Sequence, residues 1–289
     1  MTGLKTIFAA MALAAIFSTP GDAQKVGKVH FAASTATAAS RQPLQSARLA
    51  LVIGNSSYPD ADAPLAQTVN DARALASTLR QDGFDVDLVQ EATAKDMARA
   101  IARLKAKVRP DSTVMVYFAG FGVQSGGESY AIPVDAKIWY EDDVRREAVS
   151  IDRLLSELKD SGAHIRLAVI DASRRNPYER RFRSYSHGLA PIEAGENTLI
   201  LTSMPPGQVV DDQDGSRSLL ISALLDEMNS STGSAEQVFN GTRLTVARET
   251  QHQQIPNVSS SLIDDVKLAP ARTTAVVASG PHRSVDRRT

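Results

Sequence analysis

Apolar runs and helical stripes alternate along the middle of the chain. RLALVIG (48–54) is apolar after its first residue, as a strand buried on both faces is. From Asn70 to Gln81, Ala72, Leu75, Ala76 and Leu79 recur at helical spacing, and Gly83 follows as a stop. FDVDLVQ (84–90) alternates as a half-buried strand does. Thr93, with Asp96 three residues on, resembles a capping box. Met97, Ile101, Leu104 and Val108 then form a stripe that Pro110 ends. STVMVYFAG (112–120) reads as the third strand, and GVQSGGESYAIPVD as a hairpin turning at Gly126 and Gly127. Ser150 opens a helix carrying Ile151, Leu154, Leu155 and Leu158, closed near Gly162. IRLAVIDA (165–172) and NTLILTS (197–203) are the fourth and fifth strands, and residues 218–228 and 234–250 are helical.

Such alternation predicts an α/β fold, a mostly parallel sheet with helices on both faces. Ligands on these sheets sit beyond the carboxyl ends of the strands. The residues just after 54, 119, 171 and 203 are therefore the places to look for chemistry. At the third of these strands the chain reads YFAGFG (117–122). Two glycines around one bulky residue at a strand end predict a side chain presented at a tight turn. Such a side chain is usually polar and reactive; here it is the benzyl group of Phe121.

Composition changes the picture mainly at the ends. The 43% hydrophobic and 22% charged content is ordinary for a globular chain, and a net charge of −1 gives no overall pull toward nucleic acid. Lys5, the apolar run IFAAMALAAIF (7–17), and small residues at Gly21 and Ala23 form a signal-peptide pattern over 1–23. Eleven apolar residues fall short of the ~20 that span a bilayer, so no stable membrane span is expected. The chain is expected to be exported, to the periplasm or outside the cell. Residues 24–47 read as a flexible linker, 48–267 as the folded unit and 268–289 as a disordered tail.

There are no cysteines, which removes disulfides and every thiol mechanism. Zinc-type Cys/His spacing is absent, and neither DDQDG (211–215) nor Glu141, Asp142 and Asp143 has the spacing of a calcium loop, so no metal or cofactor is expected. RRNPYERRFRSY (174–185) reads as a solvated, flexible loop rather than a nucleic-acid patch.

VIGNSSY, VNDA, YFAGFG, YAIPVDA, IDASRRNP and PNVSSSL resemble, in order and spacing, the motifs of bacterial caspase-like domains (metacaspase-related, peptidase family C14). The resemblance covers essentially residues 48–265. It implies the caspase-haemoglobinase fold, with a largely parallel six-stranded sheet. In active relatives the third-strand turn resembles YYAGHG and the fourth-strand end DACRNNP, with the histidine as general base and the cysteine as nucleophile. The matching positions here are Phe121 and Ser173, separated by 173 − 121 = 52 residues, close to the ~50 of caspases. The resemblance places oxyanion-hole N–H groups at Gly122 and Ser173, and basic-side-chain acids at Asp71 and Asp171.

The two replacements compound each other. A serine hydroxyl needs a base during attack, and a phenyl ring neither accepts a proton nor returns one to the leaving amine. His187, fourteen residues after Ser173 in a loop on the correct side, is the candidate substitute, though it reads first as a solvated loop histidine. The expected function is that of a pseudoprotease binding protein or peptide segments with exposed Arg or Lys, an active paralogue among them. The rivals are a residual hydrolase using Ser173, and a purely structural or assembly domain. Asp71 also has a plain alternative, favouring a helix N-terminus, and Asp171 could be satisfied by nearby backbone donors.

Overall fold

The computed structural model describes residues 46–61, 64–182, 187–210, 215–231 and 233–268. The segments expected as leader, linker (nearly all of it) and tail (after Leu268), and most of DDQDG, lie outside the described residues. Among the described residues no helix is long and apolar enough to cross a membrane.

The central sheet contains β1 (Arg48–Gly54), β2 (Asp85–Gln90), β3 (Ser112–Ala119), β7 (Ala163–Asp171), β8 (Thr198–Thr202) and β9 (Asn257–Ser260). Their order is β2-β1-β3-β7-β8-β9, parallel throughout except that β9 runs antiparallel to β8. The α/β, largely parallel six-stranded sheet is thus present. The last strand carried no sequence signal beyond its motif: four residues, NVSS, without apolar alternation. A second, antiparallel sheet joins β4 (Gly122–Ser125), β5 (Glu128–Ala131) and the two-residue β6 (Val149–Ser150). Gly126 and Gly127 both take positive φ at the hairpin turn, where a Cβ would be strained.

Two-residue periodicity divides the strand side chains between two cores. Ala50, Val52, Met115, Tyr117, Leu167, Val169, Leu199 and Leu201 meet helices α1 (Thr68–Gln81), α5 (Leu219–Ser230) and α6 (Ala235–Glu249). Leu51, Ile53, Val114, Val116, Phe118, Ala168 and Ile170 meet α2 (Ala94–Lys107) and α4 (Ile151–Asp160). β3 is buried along its whole length, which explains its continuous apolar run.

Helix starts follow the capping residues. Thr93 Oγ1 accepts from Asp96 N–H while Asp96 accepts from Thr93 N–H, and Ser150, Ser218 and Ser234 cap α4, α5 and α6. A one-turn helix, α3 (Val144–Glu147), lies between β5 and β6.

The register aligns Gly54 with Ala119 and Ala119 with Asp171. The carboxyl ends of β1, β3 and β7 therefore end level, on one rim of the sheet. A third apolar cluster covers that rim: Tyr58, Leu65, Phe121, Val123, Tyr130, Ile132, Ile138, Val144 and Tyr178 belong to it.

Candidate functional site

Phe121 is packed away rather than presented. It is 7% exposed, and its ring meets that of Tyr58 edge-on, with centroids 4.9 Å apart at 71°. Tyr58 is itself fixed: its hydroxyl donates to Ile132 C=O at 2.9 Å and accepts from Phe121 N–H at 3.2 Å. Burial raises the Tyr58 phenol well above its ordinary range, so it stays a neutral donor. Buried Asn55 ties the loop after β1 to this same rim, donating to Ile132 C=O and Ala92 C=O and accepting from Ala92 N–H.

The two glycines serve close approach instead of a turn. Neither has the positive φ that favours glycine. A Cβ on Gly120 would sit 2.4 Å from the Tyr58 hydroxyl, and one on Gly122 would sit 2.7 Å from Ala172 O and 2.6 Å from Leu189. The glycine signature was legible, but its cause is packing against neighbouring chain.

Phe121 and Ser173 lie at adjoining strand ends. Gly120 N–H donates to Asp171 C=O at 3.4 Å and Gly122 N–H to Ala172 C=O at 3.0 Å, which carries the β3–β7 pairing past the strands. Ser173 is 0% exposed, and its Oγ has no hydrogen-bond partner among the described residues. Its N–H donates to Ser203 Oγ at 3.4 Å, and its carbonyl accepts from Val210 N–H at 2.8 Å. Both N–H groups assigned to an oxyanion hole by resemblance, Gly122 and Ser173, thus point to partners inside the protein. His187 Nδ1 lies 3.1 Å from Glu179, and the His187 carbonyl accepts from Gln124 Nε2.

The carboxylates converge beneath this rim. Asp71 lies in the first turn of α1, fully buried, and both its oxygens accept from Ser218 N–H, at 3.1 and 3.2 Å. Its role at a helix N-terminus therefore includes α5, which Ser218 caps. Asn70 and Gln67 hold the same incoming segment through Ser216 C=O and Gly215 C=O. Asp171 ends β7, also buried, and its Oδ2 has no partner among the described residues; nor has the buried hydroxyl of Tyr117. Tyr117 is raised well above the ordinary phenol range by burial first, then by Asp171 and Asp71.

A residue that sequence reasoning passed over completes the group. Arg174 is only 4% exposed, and its Nη1 donates to Asp171 C=O at 2.5 Å and Gly120 C=O at 3.1 Å. The same nitrogen lies 3.6 Å from Asp171 Oδ1. The expectation of a solvated loop over 174–185 fails for its first part. Arg174, Asn176 and Tyr178 are buried while Arg175, Glu179 and Arg180 are exposed. Residue type does not foretell this alternation, since Arg174 is buried and Arg175 exposed. The acidic run 141–143 also has a local role: Asp143 accepts from Trp139 and Tyr140 N–H and pairs with Arg146.

Burial, outweighing the Ser218 hydrogen bond, lifts the Asp71 carboxyl from 3.8 to about 7, and Asp171 nearby adds to the rise. The folded chain therefore holds a proton there that the unfolded chain releases. Stability from this group falls as pH rises from about 4 to about 7, by on the order of 4 kcal/mol in full. Asp71→Asn retains an oxygen for Ser218 N–H and removes the ionisation. Urea denaturation from pH 5 to 8 should show the variant gaining on the parent as pH rises. A constant difference over that range would refute the displaced titration.

The caspase domain model of peptidase family C14 matches residues 47–267. The chain belongs to the caspase family. Curated relatives include the mucosa-associated lymphoid tissue lymphoma translocation protein 1 homolog of Mus musculus, 29% identical over 142 residues, covering 48% of this chain and 16% of that protein. The Homo sapiens protein of that name is 28% identical over the same length, with the same coverage. The caspase-family chain described here thus spans about a sixth of the length of these relatives.

Proposed function

We propose that this caspase-family domain acts by binding rather than by cutting, and that its ligand is an Arg- or Lys-containing segment of another exported protein, an active paralogue among the candidates. One observation carries the first half. At the position where the family resemblance calls for a base, a phenyl ring is packed into an apolar cluster, beside a buried Ser173 whose Oγ has no partner among the described residues. In a serine protease, loss of nucleophile or base alone costs on the order of 10⁶ in turnover, and loss of both little more.

The second half rests on the acids. Asp71 and Asp171 are close enough to raise the Asp71 carboxyl, and Arg174 faces both. One carboxylate oxygen, Asp171 Oδ2, remains unengaged among the described residues. An incoming guanidinium or ammonium would find charge-assisted acceptors there. Both carboxylates are buried, so a ligand reaches them only after local opening of the fold.

The test uses an Arg-containing fluorogenic peptide with the parent chain and Ser173→Ala. No turnover above buffer is expected from either. Turnover by the parent that disappears in Ser173→Ala would overturn the proposal and restore an enzyme. The ligand half is tested by calorimetry with an uncleaved basic peptide, which should bind the parent and bind Asp171→Asn at least ~10-fold more weakly.

A further inference from the structure

The acid pair is buried, so a basic ligand must first meet something outside it. Trp139 and Tyr140 are the exposed candidates, at 64% and 72%. Large aromatics are normally drawn into cores or interfaces, and adjacent exposure of two of them is a departure from that rule. Their loop is not slack. Ile138 before them is buried in the third apolar cluster. The backbone N–H groups of Trp139 and Tyr140 both donate to Asp143 Oδ2, at 2.9 and 3.0 Å, and Arg146 holds the other oxygen of that carboxylate at 2.7 Å. The rings are thus displayed on a fixed backbone, which lowers the ordering cost of binding.

The chain itself shows what chemistry the shelf accepts. The Arg181 guanidinium lies 5.0 Å from the centroid of the Trp139 ring. It is held in place by Ile138 C=O at 2.5 Å and by Asp60 Oδ1 at 2.9 Å. An indole face, a carbonyl and a carboxylate together form a complete guanidinium site. Next to Trp139 in the chain, Tyr140 is exposed, and the acids Glu141 and Asp142 follow it, half-buried and exposed in turn. Exposed Lys137 and Arg145 flank the shelf, and Arg146 is already paired with Asp143 and Glu147.

We infer that Trp139 and Tyr140, with Glu141 and Asp142, form a second binding site, taking an arginine side chain of the partner segment by stacking and ion pairing. This rests on the basic-ligand reading above, but it uses different residues. The shelf makes the accessible contact, and the buried acids are reached only afterwards. A lipid surface is the less favoured occupant, because Glu141 and Asp142 follow the rings directly in sequence with charge that anionic headgroups repel.

The chain has a single tryptophan, so its fluorescence reports on this site alone. The probe is an acetylated, amidated Ala-Arg-Ala-Arg-Ala peptide, and the control carries citrulline in place of each arginine. The arginine peptide should change the Trp139 emission saturably and the citrulline peptide should not. Tyr140→Ala and the pair Glu141→Gln, Asp142→Asn should each weaken binding, together by about tenfold or more, with thermal melts unchanged. Trp139→Ala is followed by calorimetry, with the same loss. Asp171→Asn separates the two readings. Weakened binding in the shelf variants but not in Asp171→Asn supports the shelf and removes the buried acids as the ligand site; the reverse pattern overturns the shelf. An unchanged emission at millimolar peptide, or a Trp139 shift with phosphatidylserine vesicles but not with peptide, also overturns it.

Discussion

A chain carrying Phe121→His together with Ser173→Cys is expected to cleave no Arg-containing peptide, although it restores both reactive groups of the family. Three features of the site cause this. Ser173 is fully buried, its carbonyl is held by Val210 N–H, and the backbone donors at Gly122 and Ser173 already serve Ala172 and Ser203. A thiol in that place has no room for a substrate carbonyl, and no free donors face the oxygen on which charge would develop. The new histidine also replaces a ring packed on Tyr58. Losing that packing and burying an imidazole among apolar neighbours should cost on the order of 3 kcal/mol. Because the natural chain has no cysteine, Ser173→Cys alone supplies a single thiol for direct measurement. Its reaction with a disulfide reagent should run at least ~100-fold slower in the folded chain than in urea, since it waits for local opening. Labelling as fast as in urea, with cleavage by the double variant, would show the site to be open.

The second large effect belongs to Arg174. Arg174→Met keeps most of the volume and removes the guanidinium that lies 3.6 Å from Asp171 Oδ1. Breaking one side of a buried charge group leaves the other uncompensated, at a typical cost of about 3–5 kcal/mol. For a domain of this size that is a fall in Tm of roughly 10 °C. Adding Asp171→Asn to Arg174→Met should recover most of the loss, because the stranded charge goes with it. A double-mutant cycle with no coupling between the two would mean that Arg174 stabilises through partners other than the Asp171 carboxylate.

The unequal legibility of the chain has physical causes. Strands buried on both faces, such as β3 and β7, wrote themselves as apolar runs, and helices with serine or threonine caps announced their starts. β6 and β9 did not, because two to four residues are too few to show a period and their neighbours, not their composition, pair them. At the site, the positions came from motif spacing, and the register indeed brings the ends of β3 and β7 together. Their environment was not readable. Glycine permits both a presented turn and a close approach, and only the Tyr58, Ala172 and Leu189 atoms around Gly120 and Gly122 distinguish them. Arg174 was hidden by composition, since a run of arginines suggests solvent until one guanidinium is seen facing backbone carbonyls.

Gln67, Asn70 and Asp71 grip Gly215, Ser216 and Ser218 along one turn of helix. Each of the three holds a residue that leads into α5, so a substitution that frees one of them should be felt at the start of that helix as well as in α1.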